Sequence, residues 1–461
     1  MRTIINSSRN ILCFIIVISI IANYETVLAT NKFEFVKQAK SRPMPVNTRG
    51  YKSIEEALKN APMIYRLYLS KTNLTFLSPR IKEFENLEAL DLSENKISIL
   101  PKEIQFLKNL KYLNLSGNRL TKLPKEVALL ENLEILDISK NEITQIPREL
   151  SNLKKLHTIK ASVNKISSLP TNFSDLQSLK AFHFSSNSFR EIPLELTQMK
   201  NLEVIILAKN KITLVPKQIS RLFSVKVINL NSNRLKSLPK EIGYLKNLQS
   251  LDLGFNDFKN LPNEITYLTE LTYLNLDANK SISLPKRFGN LPKLYNLDYS
   301  YNYTSKIPDE ISNIASLRIL NLRANNLKYL PSGISKLYNL ESLDVSDNKF
   351  EELPFEIYSL LNLTSLNASF NNIRKISPGI ANLKELHTLN LENNKIEYLP
   401  IEITRLWNLQ LLLLNNNNIT KMPSNLEYMG NLKLLNLRSN PLPDPEKEFI
   451  RRMLRATKLT F

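Results

Sequence analysis

Cysteine, tryptophan, histidine and glycine are scarce in this chain of 461 residues, which holds one, one, three and eight of them. The single cysteine, Cys13, lies inside an apolar run from Ile11 to Ala22 that reads as part of a removable leader. The remaining chain then has none, which excludes disulfide-bonded caps, thiol catalysis and cysteine metal sites. His157, His183 and His387 form no recognisable ligand or triad pattern and read as polar surface residues. Eight glycines leave no GxGxxG or P-loop phosphate cradle. Aspartates recur, but no calcium-loop motif accompanies them. No cofactor, metal or small-molecule substrate is therefore expected, and the chain reads as non-catalytic. The formal charge of +19 raises nucleic acid as a partner. An exported chain without interleaved base-stacking aromatics argues against it.

Export is expected from the first 29 residues. Arg2 and Arg9 precede the apolar run, and Val27, Leu28 and Ala29 offer a cleavage site, so residues 1–29 read as a secretory signal. The run is shorter than the roughly 20 residues of a spanning helix. The expected destination is the periplasm, the outer surface or the medium. Residues 30–52 form a basic linker, with Lys32, Lys37, Lys40, Arg42 and Arg49 against Glu34, and with Pro43 and Pro45 discouraging regular structure. Residues 53–63 read as an N-terminal capping helix, with Ser53 and Glu56 at capping-box spacing and Pro62 as its stop.

What the chain has in abundance is one pattern written seventeen times between residues 64 and 442. A clean copy starts at Leu110 and fixes Leu113, Leu115, Asn118, Leu120, Leu123, Pro124, Val127 and Leu130 before Leu133 opens the next. The asparagine recurs every 23 residues, from Asn95 to Asn440, with Thr72 at its first place. Alternation at Leu113 and Leu115 marks a short strand with one buried face. Asn118 follows, where the chain turns inward and its backbone needs partners; an amide side chain supplies both a donor and an acceptor. Pro124 fixes φ at the start of the return path. Val127, Leu130 and Leu133 step by three, as the buried stripe of a 3₁₀ or short helical segment would. No copy can bury its apolar face alone, so the copies must stack. Ala161 and Ala368 are small, and Ser281 is polar, at places the other copies fill with larger apolar residues, so these copies are expected to be looser.

Leu100-Pro101-Lys102-Glu103-Ile104 and Leu107-Lys108-Asn109-Leu110 resemble the bacterial 23-residue leucine-rich repeat. The chain is similar over about residues 53–442 to exported leucine-rich repeat proteins of spirochaetes and Bacteroidetes. The lead-in Ser53 to Asn60 also resembles theirs. The resemblance implies an α/β solenoid, a horseshoe with a parallel β-sheet on its concave face and 3₁₀ or short helical segments on its convex face. It also implies a protein partner of unspecified identity. Residues 443–461 read as a C-terminal capping helix, with Asp444 as cap, Pro445 at its first position, and Phe449, Ile450, Met453 and Leu454 on one face.

Strand residues that alternate with the buried leucines should point to the concave face. There, acids outnumber bases, and three apolar or aromatic patches interrupt the polar columns. Ile206 and Val227 with Val204 form one. Phe255, Tyr273 and Tyr301, with Tyr295 and Tyr303 nearby, form the second, beside Asp252 and Asp298. Leu413, with Leu411 and Leu434, forms the third. Such anchors are where protein interfaces concentrate their energy. The residue after each ladder asparagine is often basic, as at Lys96, Arg119, Lys165, Lys211, Arg234 and Lys280. This ridge gives an alternative reading, an adhesin for an anionic glycan or a lipid surface. The column assignment predicts that Leu253→Asp, which buries an unpaired charge, abolishes soluble expression and the native circular-dichroism spectrum.

Overall fold

The computed structural model describes residues 51–280 and 282–461. The expected signal segment, nearly all of the linker and Ser281 lie outside the described residues. The chain forms one open parallel sheet, coiled as a leucine-rich repeat solenoid. Seventeen three-residue strands, β1 (Arg66–Tyr68) to β17 (Leu434–Asn436), supply one rung per copy. Each pairs with its neighbours in sequence and in one unbroken register, as in Arg66 with Ala89 and Tyr68 with Asp91. The same register joins Tyr273 to both Ser250 and Asn296. The strands are short because only the middle residue faces the core; Leu67, Leu113, Leu251 and Leu435 are all fully buried there.

Opposite the sheet run five-residue 3₁₀ segments such as Lys102–Phe106 and Lys240–Tyr244. Most begin directly after a proline whose φ lies near −70°, as at Pro101, Pro124 and Pro239. Ser377 breaks that proline column without shifting the register. Its side chain accepts a hydrogen bond from the Gly379 backbone N–H, and the segment still starts at Pro378.

The asparagine column ties coil to coil. Asn118 accepts from Ile97 N–H in the preceding coil at 3.0 Å. It donates to Leu92 O in that coil at 2.9 Å and to Leu115 O in its own at 3.0 Å. The same set recurs at Asn256 and Asn348. The residue before each of these asparagines turns through the left-handed region, for example Lys140 (φ 53°), Phe255 (φ 51°) and Tyr301 (φ 54°). Burying the turn is possible because a side chain from the next coil answers its backbone.

The irregular copies show how packing repairs a missing leucine. Ala161 is followed one coil later by Phe184, which stacks on Phe182 with ring centroids 3.9 Å apart. Near Ser281, Ile282 is buried instead, and Tyr299 takes a strand leucine's place with its hydroxyl donating to Ile282 O. Lys280 and Tyr303 there add second left-handed residues (φ 54° and 55°). Between Tyr273–Asn275 and Asn296–Asp298 no 3₁₀ segment forms among the described residues.

Both ends differ from the expected single helices. At the start, α1 (Ile54–Ala57) makes one turn and passes into a 3₁₀ segment, Leu58–Met63, that contains Pro62 rather than stopping before it. Ser53 caps it by accepting from Glu56 N–H. The Glu56 carboxylate accepts from Lys52 N–H, one place earlier than the capping box requires. At the far end, α2 (Asp444–Met453) is shorter than expected and has Pro443 at its cap position. Asp444 is its first residue and makes an ion pair with Lys447 instead of capping. The last residues form an eighteenth strand, β18 (Lys458–Thr460), parallel to β17. Ile450 and Leu454 close the core beneath.

Asn256→Ala would leave the Leu235 N–H without its partner and remove one of two hydrogen bonds from each of Leu230 O, Leu253 O and Gly254 O. The expected loss is about 3 kcal/mol, measured as a lower denaturant midpoint.

Candidate functional site

The concave face is built from parallel columns, and the central one is largely committed to holding the backbone. Asp252 Oδ1 accepts from Gly254 N–H at 3.1 Å, Asp298 from Ser300 at 2.9 Å and Asp344 from Ser346 at 2.8 Å, each capping the turn after its strand. Each also receives the amide of the asparagine one coil on: Asn275 to Asp252, Asn321 to Asp298 and Asn367 to Asp344. Alternating Asp with Asn keeps like charges two strands apart and makes the following neighbour a donor. Asp252 and Asp298, expected as contact residues, are therefore turn caps. Burial pushes the Asp252 carboxyl up to about 6, against its hydrogen bonds from Asn231, Gly254 and Asn275.

Tyr273 is also corrected: it is only 5 % exposed, set between Ser250 and Asn296, which are equally buried. Val204 and Val227 pack on Ala181 and leave only Ile206 half-exposed, so the first patch largely covers itself. His183, beside Lys160 and Ile206 on that face, is half-exposed. Its Nε2 is shut from solvent without a hydrogen-bond partner among the described residues. Burial, then Lys160, lowers it to about 3 and keeps it neutral. Leu411, Leu413 and Leu434 stay half-exposed, and β18 continues the sheet past them, with Lys458 beside Leu434.

What remains open lies in two columns beyond the strands. In the column just before the ladder asparagine, Phe255 is 54 % exposed, Tyr301 is half-buried, and small Ala278 sits between them. Two strand spacings separate the rings, roughly 9–10 Å. In the adjacent column stand Gly254, Asp277, Ser300 and Arg323. Asp277 leans over Gly254 so closely that a Cβ there would lie 1.7 Å from its Oδ1. That oxygen is buried and has no partner among the described residues; the same holds for Arg323 Nε. The Arg323 guanidinium lies 5.5 Å from the Tyr301 ring centre. Burial, then Asp298 and Asp252, pushes the Asp277 carboxyl up to about 8. Phe255 and Tyr301 thus flank the coil that carries Asp277, whose carboxyl Asn275 bonds while its Oδ1 has no partner among the described residues. Sequence reasoning expected Phe255 and Tyr301 on this face and counted Asp277 and Arg323 among its charges, but did not single those two out, since their column carries serine in many other copies.

The basic ridge is interrupted. Lys96, Arg119, Lys211 and Arg234 are exposed, but Lys165 pairs with Glu142 and Lys280 with Asp257, each at 2.9 Å. A second ladder went unread. It sits one place before each strand and joins Glu88 to Lys111 at 3.4 Å and Glu203 to Lys226 at 2.7 Å. Among the described residues, no cluster of three or more His, Cys, Asp and Glu is arranged to hold a metal ion. Among the described residues no helix is long and apolar enough to cross a membrane.

Stacked coils carrying a fixed skeleton and a variable inner wall define a repeat scaffold. The chain belongs to the leucine-rich repeat family: the model of the leucine-rich repeat region matches residues 67–214, 210–308 and 302–386. No curated protein matches it by sequence. Among solved structures, a leucine-rich repeat protein of Leptospira interrogans is 37% identical with a TM-score of 0.76, the match covering 89% of this chain and 99% of that one. The Arabidopsis receptor kinase HAESA, in complex with the peptide hormone IDA and the co-receptor SERK1, is 25% identical with a TM-score of 0.54, over 84% and 76% of the chains. The functional domain of InlJ from Listeria monocytogenes, at 19% identity and a TM-score of 0.63 over 82% and 75%, shares the fold.

An acid whose value is raised on folding stabilises the fold below its ordinary range, and that contribution is lost as pH rises through the raised value. Asp277→Asn is therefore expected to raise the thermal midpoint by several degrees at pH 8.5 and by distinctly less at pH 5. Equal shifts at both would show that the acid is not held protonated.

Proposed function

We propose that the chain is an exported, non-catalytic scaffold that recognises a protein partner through its concave face. The partner inserts a lysine or arginine side chain between Phe255 and Tyr301. The observation that carries this reading is Asp277 Oδ1, buried without a partner among the described residues, on the coil between those of Phe255 and Tyr301. Leaving such an atom unpaired is costly, and a cation between two ring faces is attracted by both. The similarity to the receptor kinase HAESA, solved in complex with a peptide hormone and a co-receptor, supports a protein partner. Export rests on the composition of residues 1–29.

Because Asp277 is raised to about 8, ionising it to meet a cation becomes easier as pH rises. Affinity should increase from pH 6 to about pH 8.5, and Asp277→Asn should flatten that profile. A displayed random-peptide library is the direct test. Selected peptides should be rich in lysine or arginine, and Tyr301→Ala or Phe255→Ala should weaken them about tenfold, the size of a cation–ring contact. Peptides without basic enrichment, or with unchanged affinity for both folded variants, would remove this site from consideration.

A further inference from the structure

On the opposite face, near the C-terminal end, a cleft of about 340 Å³ opens between two 3₁₀ segments and is lined by Ile401, Thr404, Arg405, Trp407, Asn425 and Tyr428. Its origin is local. The segment Ile401–Arg405 has five residues, whereas the next, Leu426–Tyr428, has three. Asn425, at φ −102° and ψ 41°, stands outside it, so the layer starts late and leaves space against its neighbour. Trp407 and Tyr428 remain 57 % and 59 % exposed there.

Gly430 completes the opening. It occupies the place of Trp407 in the next copy, where many copies carry lysine and three carry Phe223, Tyr338 and Leu361. Its φ lies outside the left-handed region, and an added Cβ would meet nothing within 4 Å. Neither backbone conformation nor close approach demands a glycine. Its effect is to leave the indole without a neighbouring side chain on that side. Two sets of donors face the same space without partners among the described residues: the Arg405 guanidinium and the Asn425 amide N–H groups, whose Oδ1 accepts from Ser424.

We propose that this cleft binds a pyranose ring of a glycan. Exposed aromatic faces suit the axial C–H surface of a sugar, and Arg405 and Asn425 offer donors to its hydroxyl or carboxylate oxygens. The volume is at the small end of ligand sites, sized for a ring and too short for an extended peptide crossing several coils. The site lies on the face away from Phe255 and Tyr301 and does not depend on them.

Trp407 is the only tryptophan in the chain, so its emission reports this cleft alone. The full chain is titrated with cellotetraose, chitotetraose and a hyaluronan tetrasaccharide, with a decaproline peptide as the competing chemistry. A saturable change in emission with at least one oligosaccharide is expected. Tyr428→Ala should weaken it about tenfold, the larger end of what one ring contact contributes, and Gly430→Leu should abolish it. Phe255→Ala and Tyr301→Ala should leave it unchanged. A response to hyaluronan alone that Arg405→Gln removes identifies an acidic sugar; a response to the neutral sugars identifies ring stacking with hydroxyl recognition. Saturation by decaproline alone overturns the proposal. So does the absence of any sugar response while acrylamide still quenches the indole, or an undiminished response in folded Tyr428→Ala.

Discussion

A backbone turn buried between coils would be ruinous if its amides and carbonyls went unanswered, and here the next coil answers them. Asn118 reaches back to Ile97 and Leu92 while holding Leu115 in its own coil. One side chain therefore fixes the turn and the stacking distance together. The register of the sheet, the burial of the leucines and the left-handed residue before each asparagine all follow from that geometry. Order in one coil presupposes order in the next, so the ends need separate devices: α1 at the start, and α2 with β18 at the finish.

The same economy of partners decides where binding can occur. The inner wall appears rich in acids when its columns are read as text, yet much of the central column serves the chain itself. Asp252, Asp298 and Asp344 cap turns and receive amides from the following coil. Variation is left to the places just beyond the strands. That is why Phe255 and Tyr301 stay accessible while Tyr273, on a strand, is covered. Asp277 is an exception within its column. Gly254 lets it lean toward the preceding coil, where its Oδ1 loses solvent without gaining a partner among the described residues.

The outer face repeats less strictly because proline and one buried aliphatic residue suffice to hold each 3₁₀ segment. Shortening one segment, as at Leu426–Tyr428, does not disturb the sheet; Leu411 to Leu413 and Leu434 to Asn436 pair in the common register. The outer wall can therefore acquire a cleft while the inner wall keeps its spacing.

Fixed spacing carried the fold in full view: the periodic leucines, the asparagines and the prolines determine a stacked coil, because a 23-residue period places the same chemistry at the same height in every turn. The aromatic walls at Phe255 and Tyr301 were legible for the same reason. Three things were decided only by packing in three dimensions. Tyr273 and the His183 Nε2 lost their solvent, Asp252 and Asp298 spent oxygens on turns, and Asp277 Oδ1 was left without a partner among the described residues. Each depends on which neighbouring side chains reach across the strand spacing, and a column of letters records the neighbours' identity but not their reach. The last strand, Lys458–Thr460, was hidden likewise, since it forms by borrowing the open edge that the preceding coil presents.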